Sequence, residues 1–250
     1  MLEIDEAVGR LATAPRLLVC TDFDGTICEL GPDAYAVTPD PRALAALSAL
    51  AGMADTTVTV LSGRHVEGLR QVCPLEPPVV FVGSHGAESS GHVAALSPEL
   101  KAQLADIERR LEAITSGNEP AFVEAKPFSR VLHVAALAEV DPTRAQMLID
   151  EAYGLSRALP EGVSVTPGHN IMEFSVAKAT KGSWLAEAKR AYDSAVFVGD
   201  DVTDETAFAV LGPHDVGIKV GVGETAAGMR LPDVDAVAAF FSALAATRGR

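Results

Sequence analysis

Five aspartates fall in two short runs, Asp22 and Asp24 in DFDGT and Asp200, Asp201 and Asp204 in GDDVTDE, and each run follows an apolar stretch. Side chains two apart on an extended segment share a side, so Asp22 and Asp24 aim at nearly the same place and repel. Such a cluster is strongly unfavourable unless a cation offsets it. Oxygen-only ligands without nearby Cys or His fit a hard ion such as Mg2+, which keeps several waters and bridges carboxylates to a substrate phosphate. An Asp held on that ion can attack phosphorus, splitting one hard hydrolysis into two easier displacements. Asp22 is the candidate nucleophile, and Asp24 the group that protonates the leaving oxygen and then deprotonates water. Ser62 and Gly63 of LSGR offer hydrogen bonding to the phosphoryl group, and Lys181 of TKG offers a positive charge.

Strands must end where these groups begin. Residues 17–21, 57–61, 79–82, 195–198 and 216–220 are almost wholly apolar, as strands covered on both faces are. Residues 41–53, 181–192 and 234–246 read as helices, the first with Pro41 in its opening turn, where a missing N–H costs nothing. The alternation predicts a parallel sheet flanked by helices, in which ligands bind beyond the carboxyl ends of the strands. Every suspect cluster sits at such an end: Asp22 and Asp24 after the first strand, Ser62, Gly63 and Arg64 after the second, GSHG with His85 after the third, GDDVTDE after the fourth.

The middle of the chain reads differently. Residues 98–114 and 142–159 are expected helices, each followed by two extended runs, the second pair joined about a turn at Pro167 and Gly168. The expected fold class is therefore α/β, a Rossmann-like parallel-sheet core with an inserted α+β (αββαββ) cap domain. The core is assigned to residues 1–88 and 175–250 and the cap to residues 89–174.

A formal charge of −14 argues against a nucleic-acid backbone or an anionic membrane as the main ligand. No apolar run has the length of a membrane span, and Glu3, Asp5 and Glu6 are unlike an export signal, which leads to the expectation of a cytoplasmic protein. Cys20, Cys28 and Cys73 are odd in number and lack C-x-x-C spacing, so neither a disulfide framework nor a zinc site is indicated. Oligomeric state is left open.

In order along the chain, D-F-D-G-T, L-S-G-R, K-G and G-D-D-V-T-D-E resemble the four motifs of the haloacid dehalogenase-like phosphatases, and a cap between the second and third resembles the C2 type. Within that superfamily GSHGAE and GDDVTDE are similar to the trehalose-6-phosphate phosphatase family. The resemblance implies a Rossmann-like core, Mg2+ and a sugar-phosphate substrate. It makes Asp22 nucleophile and metal ligand, Asp24 acid/base and metal ligand through its carbonyl, Asp200 the third protein ligand and Asp204 a support through water. Ser62 and Lys181 would hold the phosphoryl group, with Arg64 and His85 touching substrate or fixing loops.

The family's E-x-K element, its following His and a later G-x-x-x-x-E element match Glu124, Lys126, His133, Gly168 and Glu173, which the resemblance assigns to sugar hydroxyls. Two departures bear on the substrate. Where the family often reads H-Y-R this chain has His133, Val134 and Ala135, and the basic residue commonly following the cap glycine is His169. A lost polar contact in a hydroxyl-reading pocket changes discrimination by orders of magnitude. Another phosphorylated sugar or pseudo-sugar is thus an alternative substrate, with a sugar phosphomutase or a non-catalytic sugar-phosphate sensor as more distant alternatives.

Overall fold

The computed structural model describes residues 3–249 except Pro32, Ala34, residues 90–91, residues 94–95 and His169, and for His92 and Val93 it describes the backbone. The chain forms two compact units, Met1–Val93 with Ala179–Arg250, and Ala94–Lys178.

The first unit runs α1 (Ile4–Ala12), β1 (Leu17–Thr21), α2 (Pro41–Ala51), β2 (Thr56–Leu61), α3 (Val66–Val72), β3 (Val80–Gly83), β4 (Glu88–Ser89) and β5 (His92–Val93). The second contains α4 (Pro98–Thr115), β6 (Phe122–Ala125), β7 (Ser129–His133), α5 (Ala135–Val140), α6 (Pro142–Leu155), β8 (Ser164–Gly168) and β9 (Ile171–Ser175). The first resumes with α7 (Lys181–Ala188), β10 (Ser194–Gly199), α8 (Glu205–Phe208), β11 (Val216–Val220), β12 (Met229–Leu231) and α9 (Val234–Arg248).

In the core sheet the order is β12-β11-β10-β1-β2-β3-β4-β5, parallel from β12 to β3 and antiparallel beyond. β1 is central and wholly buried. Its alternation divides the interior: Leu17 and Val19 join Phe240, Phe241 and Leu50 on one face, while Leu18 and Cys20 join Leu185, Phe197 and Phe208 on the other. Phe197 and Phe208 meet edge to face at 5.5 Å. Sequence also sets the helix starts. Asp40 accepts from the N–H groups of Arg42 and Ala43 ahead of Pro41, and Thr180 and Ser183 cap α7 reciprocally.

The cap sheet, β6-β7-β9-β8, is antiparallel throughout. Leu132, Met172 and Phe174 pack with Ile107 and Leu111 of α4 and Leu148 of α6. Cross-strand pairing puts Glu124, Val131, Glu173 and Thr166 on the opposite face.

Three expectations are corrected. β4 adds antiparallel to β3, so the chain stays with the core sheet through Val93, and the unit boundaries lie at 93/94 and 178/179 rather than 88/89 and 174/175. Pro167 and Gly168 do not form the turn of the second hairpin: they pair with Met172 and Ile171. β8 is an edge strand, where Pro is tolerated, and the reversal comes later, with Asn170 at φ 57°. The αββαββ series also gains α5 between β7 and α6. Among the described residues no helix is long and apolar enough to cross a membrane. Position 169, singled out in the sequence, lies outside the described residues.

Candidate active site

β1 and β10 are adjacent and parallel, so the loops that follow them emerge side by side. This brings Asp22, Asp200 and Asp204 together, with one carboxylate oxygen of each within 4.8 Å of the others. At that spacing two full charges repel by about 3 kcal/mol at an effective dielectric constant of about 20. Lys181 enters from the start of α7 and bridges Asp22 at 3.0 Å and Asp204 at 2.7 Å. All three of these side chains are buried, and Lys181 is held well above its usual range by its two carboxylate partners, against burial, the largest and opposing influence. Burial, opposed by Lys181 and helped by Asp204, lifts Asp22 to about 8. Burial, then Asp204 and Asp201, lifts Asp200 to about 6.

Three carboxylates against one ammonium leave two negative charges when all are ionised, the charge of one divalent cation. The donors are oxygen only, so the residues fit Mg2+. The close packing depends on glycine. At Gly25, where φ is +67°, a Cβ would lie 2.1 Å from Asp200 Oδ2, and at Gly199 one would lie 2.3 Å from Asp204 Cγ. Gly182 is equally confined: its Cβ would lie 2.1 Å from the Thr206 carbonyl oxygen, where α7 meets α8.

The loops after β2 and β3 lock each other. Asp24 is not part of that trio and is gripped by Arg64, whose Nε and Nη2 donate to its two oxygens at 2.7 and 2.6 Å. The Arg64 N–H donates to buried Ser62 Oγ at 3.1 Å. The His85 N–H donates to the Ser62 carbonyl at 3.0 Å, and the His85 ring lies over Gly63, where a Cβ would be 2.6 Å from Cε1. Ser84 and His85 both adopt left-handed backbone, at φ 48° and 55°, a conformation costing about 1–3 kcal/mol each. Glu88 offsets this: its carboxylate accepts from Ser84 Oγ and from the Val66 N–H. Arg64 and His85, expected either to touch substrate or to fix loops, here hold Asp24 and the Ser62–Gly63 turn.

On the cap, His133 Nε2 and Glu124 Oε2 are 2.9 Å apart, and the His133 ring stacks on Phe122 at 4.6 Å. Glu173 accepts from Ser129 Oγ at 2.6 Å, with Lys126 Nζ 3.8 Å away. Of the five cap residues singled out in the sequence, Glu124 and His133 form one polar pair and Lys126 and Glu173 another, while Gly168 closes β8.

Lys219 was missed. It is the fourth residue of β11, is buried, and its Nζ donates to the Asp200 carbonyl. A charge inside the otherwise apolar run VGIKV, at the carboxyl end of a parallel strand, was the available signal.

The family model for trehalose-phosphatase matches residues 20–234. A trehalose-phosphate phosphatase of Mycobacterium marinum is 32% identical over 98% of this chain and 67% of its own length. A trehalose-6-phosphate phosphatase of Escherichia coli is 30% identical over 85% of this chain and 82% of its own. The structure of Aspergillus fumigatus trehalose-6-phosphate phosphatase superposes with a TM-score of 0.67 at 22% identity, covering 98% of both chains, which shows a shared fold. The strand-end carboxylates, the lysine between them and these matches together make the chain a member of the trehalose-phosphatase family, a family of phosphoric monoester hydrolases.

Proposed function

We propose that the protein is a Mg2+-dependent phosphatase that hydrolyses trehalose 6-phosphate to trehalose and phosphate through an aspartyl-phosphate at Asp22. The observation that carries this reading is the Lys181 bridge between Asp22 and Asp204 beside Asp200, which leaves a deficit suited to one divalent ion. The relatives from M. marinum and E. coli bear the name of the same activity.

Asp22, Asp200 and Asp204, with the carbonyl of Asp24, are the groups that would hold the ion. Bound there, Mg2+ would neutralise phosphoryl oxygens and keep Asp22 ionised. Asp22 attacks phosphorus, the bond from phosphorus to the sugar oxygen breaks, and Asp24 supplies the proton that oxygen needs. Asp24 then takes a proton from water, whose oxygen attacks phosphorus and releases Asp22 and inorganic phosphate. Ser62 accepts from Arg64 at 3.1 Å, which leaves its own O–H to donate to the phosphoryl group, alongside the Gly63 turn and the Lys181 charge. Glu124, Lys126, His133 and Glu173 read sugar hydroxyls, each of which both donates and accepts. The reaction fits a small-molecule substrate handled in the cytoplasm.

A second reading, another phosphorylated sugar, is favoured by one observation. Val134 is buried among the apolar side chains of the cap and Ala135 opens α5, so neither offers a polar group after His133. A panel of phosphorylated mono- and disaccharides with Mg2+, read as free phosphate, decides the matter. Fastest release from trehalose 6-phosphate supports the first reading; preference for another sugar supports the second; an isomeric sugar phosphate without free phosphate, or binding without turnover, overturns both.

A further inference from the structure

We infer that Lys219 is a positioning residue for the metal site, acting through the backbone of Asp200; this rests on the Mg2+ reading above. Lys181 serves Asp22 and Asp204 directly, and Asp200 is the member of the trio that Lys181 does not contact. Asp200 is instead held from both sides. Its carboxylate crosses toward β1, lying against Gly25 and 3.5 Å from Thr26 Oγ1, while its carbonyl is taken from the other side by Lys219 of β11. β10 lies between those two strands, and Gly199, the last residue of β10, pairs with Lys219 in register. The ammonium therefore rises beside the very peptide that carries the ligand.

A buried ammonium is costly, and one whose hydrogen bond goes to a neutral carbonyl recovers less than an ion pair would. A strand under purely structural demand would carry an apolar residue here, as Ile218 and Val220 do. What the lysine gains is control of the peptide after Asp200. Without it that peptide is freer to rotate, and the carboxylate loses its fixed aim toward Asp22. Groups behind a ligand that set its orientation typically alter metal affinity by 10- to 100-fold.

The test is Mg2+ binding in parent, Lys219→Met, Lys219→Gln and Lys219→Arg proteins, followed by the rise in melting temperature on titration, with Mn2+ binding read by electron paramagnetic resonance. Methionine fills the volume without a donor, glutamine stops short of the carbonyl, and arginine keeps charge and reach. Lys219→Met and Lys219→Gln are expected to weaken binding at least about fivefold with metal-free melting close to that of the parent, and Lys219→Arg to recover most of the loss. Unchanged or tighter binding in either neutral variant overturns the inference, as does a loss in Lys219→Arg equal to theirs. Should Lys219→Met not fold, Lys219→Gln carries the same comparison. No binding by the parent protein fells the Mg2+ assignment itself and this inference with it, whereas parent binding that Lys219→Met or Lys219→Gln matches fells this inference alone.

Discussion

Arg64 holds both carboxylate oxygens of Asp24, at 2.6 and 2.7 Å, while its own backbone N–H reaches Ser62 Oγ at 3.1 Å. One residue thereby joins the proposed proton donor to the proposed phosphate-binding turn. The grip uses the planar fork of the guanidinium, further seated 5.4 Å from the centre of the Phe23 ring, which a lysine cannot reproduce. Arg64→Lys should lower kcat about tenfold and Arg64→Ala about a hundredfold, with Mg2+ affinity changed less than twofold. Steady-state kinetics beside a metal titration check this; a full-rate Arg64→Ala enzyme would show that the Asp24 contact has no bearing on turnover.

Asp22→Asn replaces the attacking oxygen with a poor nucleophile while keeping shape and one hydrogen-bond acceptor toward Lys181. Turnover should fall by at least about a thousandfold with the melting temperature maintained or raised, because a buried carboxylate among like charges has been removed. Mass spectrometry of the parent enzyme quenched during turnover should show a phosphate adduct on the peptide holding Asp22, and the variant should show none.

Proton and metal compete at this site. Asp200, lifted to about 6, and Asp22, lifted to about 8, are both raised chiefly by burial, so the folded protein retains protons that the unfolded chain, near 3.8, has released. Metal ligation requires the ionised forms, so Mg2+ affinity should rise with pH through this range and level off above about 8. The sign for stability is opposite. Between 3.8 and those raised values the folded state binds more protons than the unfolded one, so these two groups make the metal-free fold less stable as pH rises. The gain in melting temperature on adding Mg2+ should therefore widen from pH 5 to pH 8; a gain that is flat or shrinking across this interval would contradict the assignment.

Far from the site, Arg248 near the end of α9 donates from Nη1 to the Ala14 carbonyl at 2.7 Å and to that of Ala12 at 3.2 Å, and from Nε to Thr56 Oγ1 at 2.7 Å. These bonds satisfy carbonyls at the end of α1 that no helical N–H can reach. Arg248→Ala should cost about 2 kcal/mol, read as a fall of roughly 4–8 °C in melting temperature, without changing kcat.

Much of the core was legible because each of its signals is local. β1 and β11 have the bounds their apolar runs imply, and four polar clusters following four strands could be read without knowing the strand order. Lys181 was legible from its place at a helix start, but its role as a bridge requires the pairing of β1 with β10 across most of the chain. Arg64 and His85 were ambiguous for the same reason: whether such a side chain meets substrate or protein depends on the neighbouring loop. α1 and α3 went unread, the latter being seven residues long with a start set by His65, whose Nδ1 accepts from the Gly68 N–H. The Pro-Gly pair of β8 misled because a turn signal and an edge-strand proline look alike until the partner strand is known.

The hydrogens at Gly25, Gly182 and Gly199 stand where any larger substituent would strike Asp200, the Thr206 backbone or Asp204. Saturation libraries at these three codons should therefore return the parental letter alone under selection for turnover, even where the encoded proteins remain soluble. The alphabet permitted at a position far smaller than any acid or base is in this way dictated by the chemistry next door.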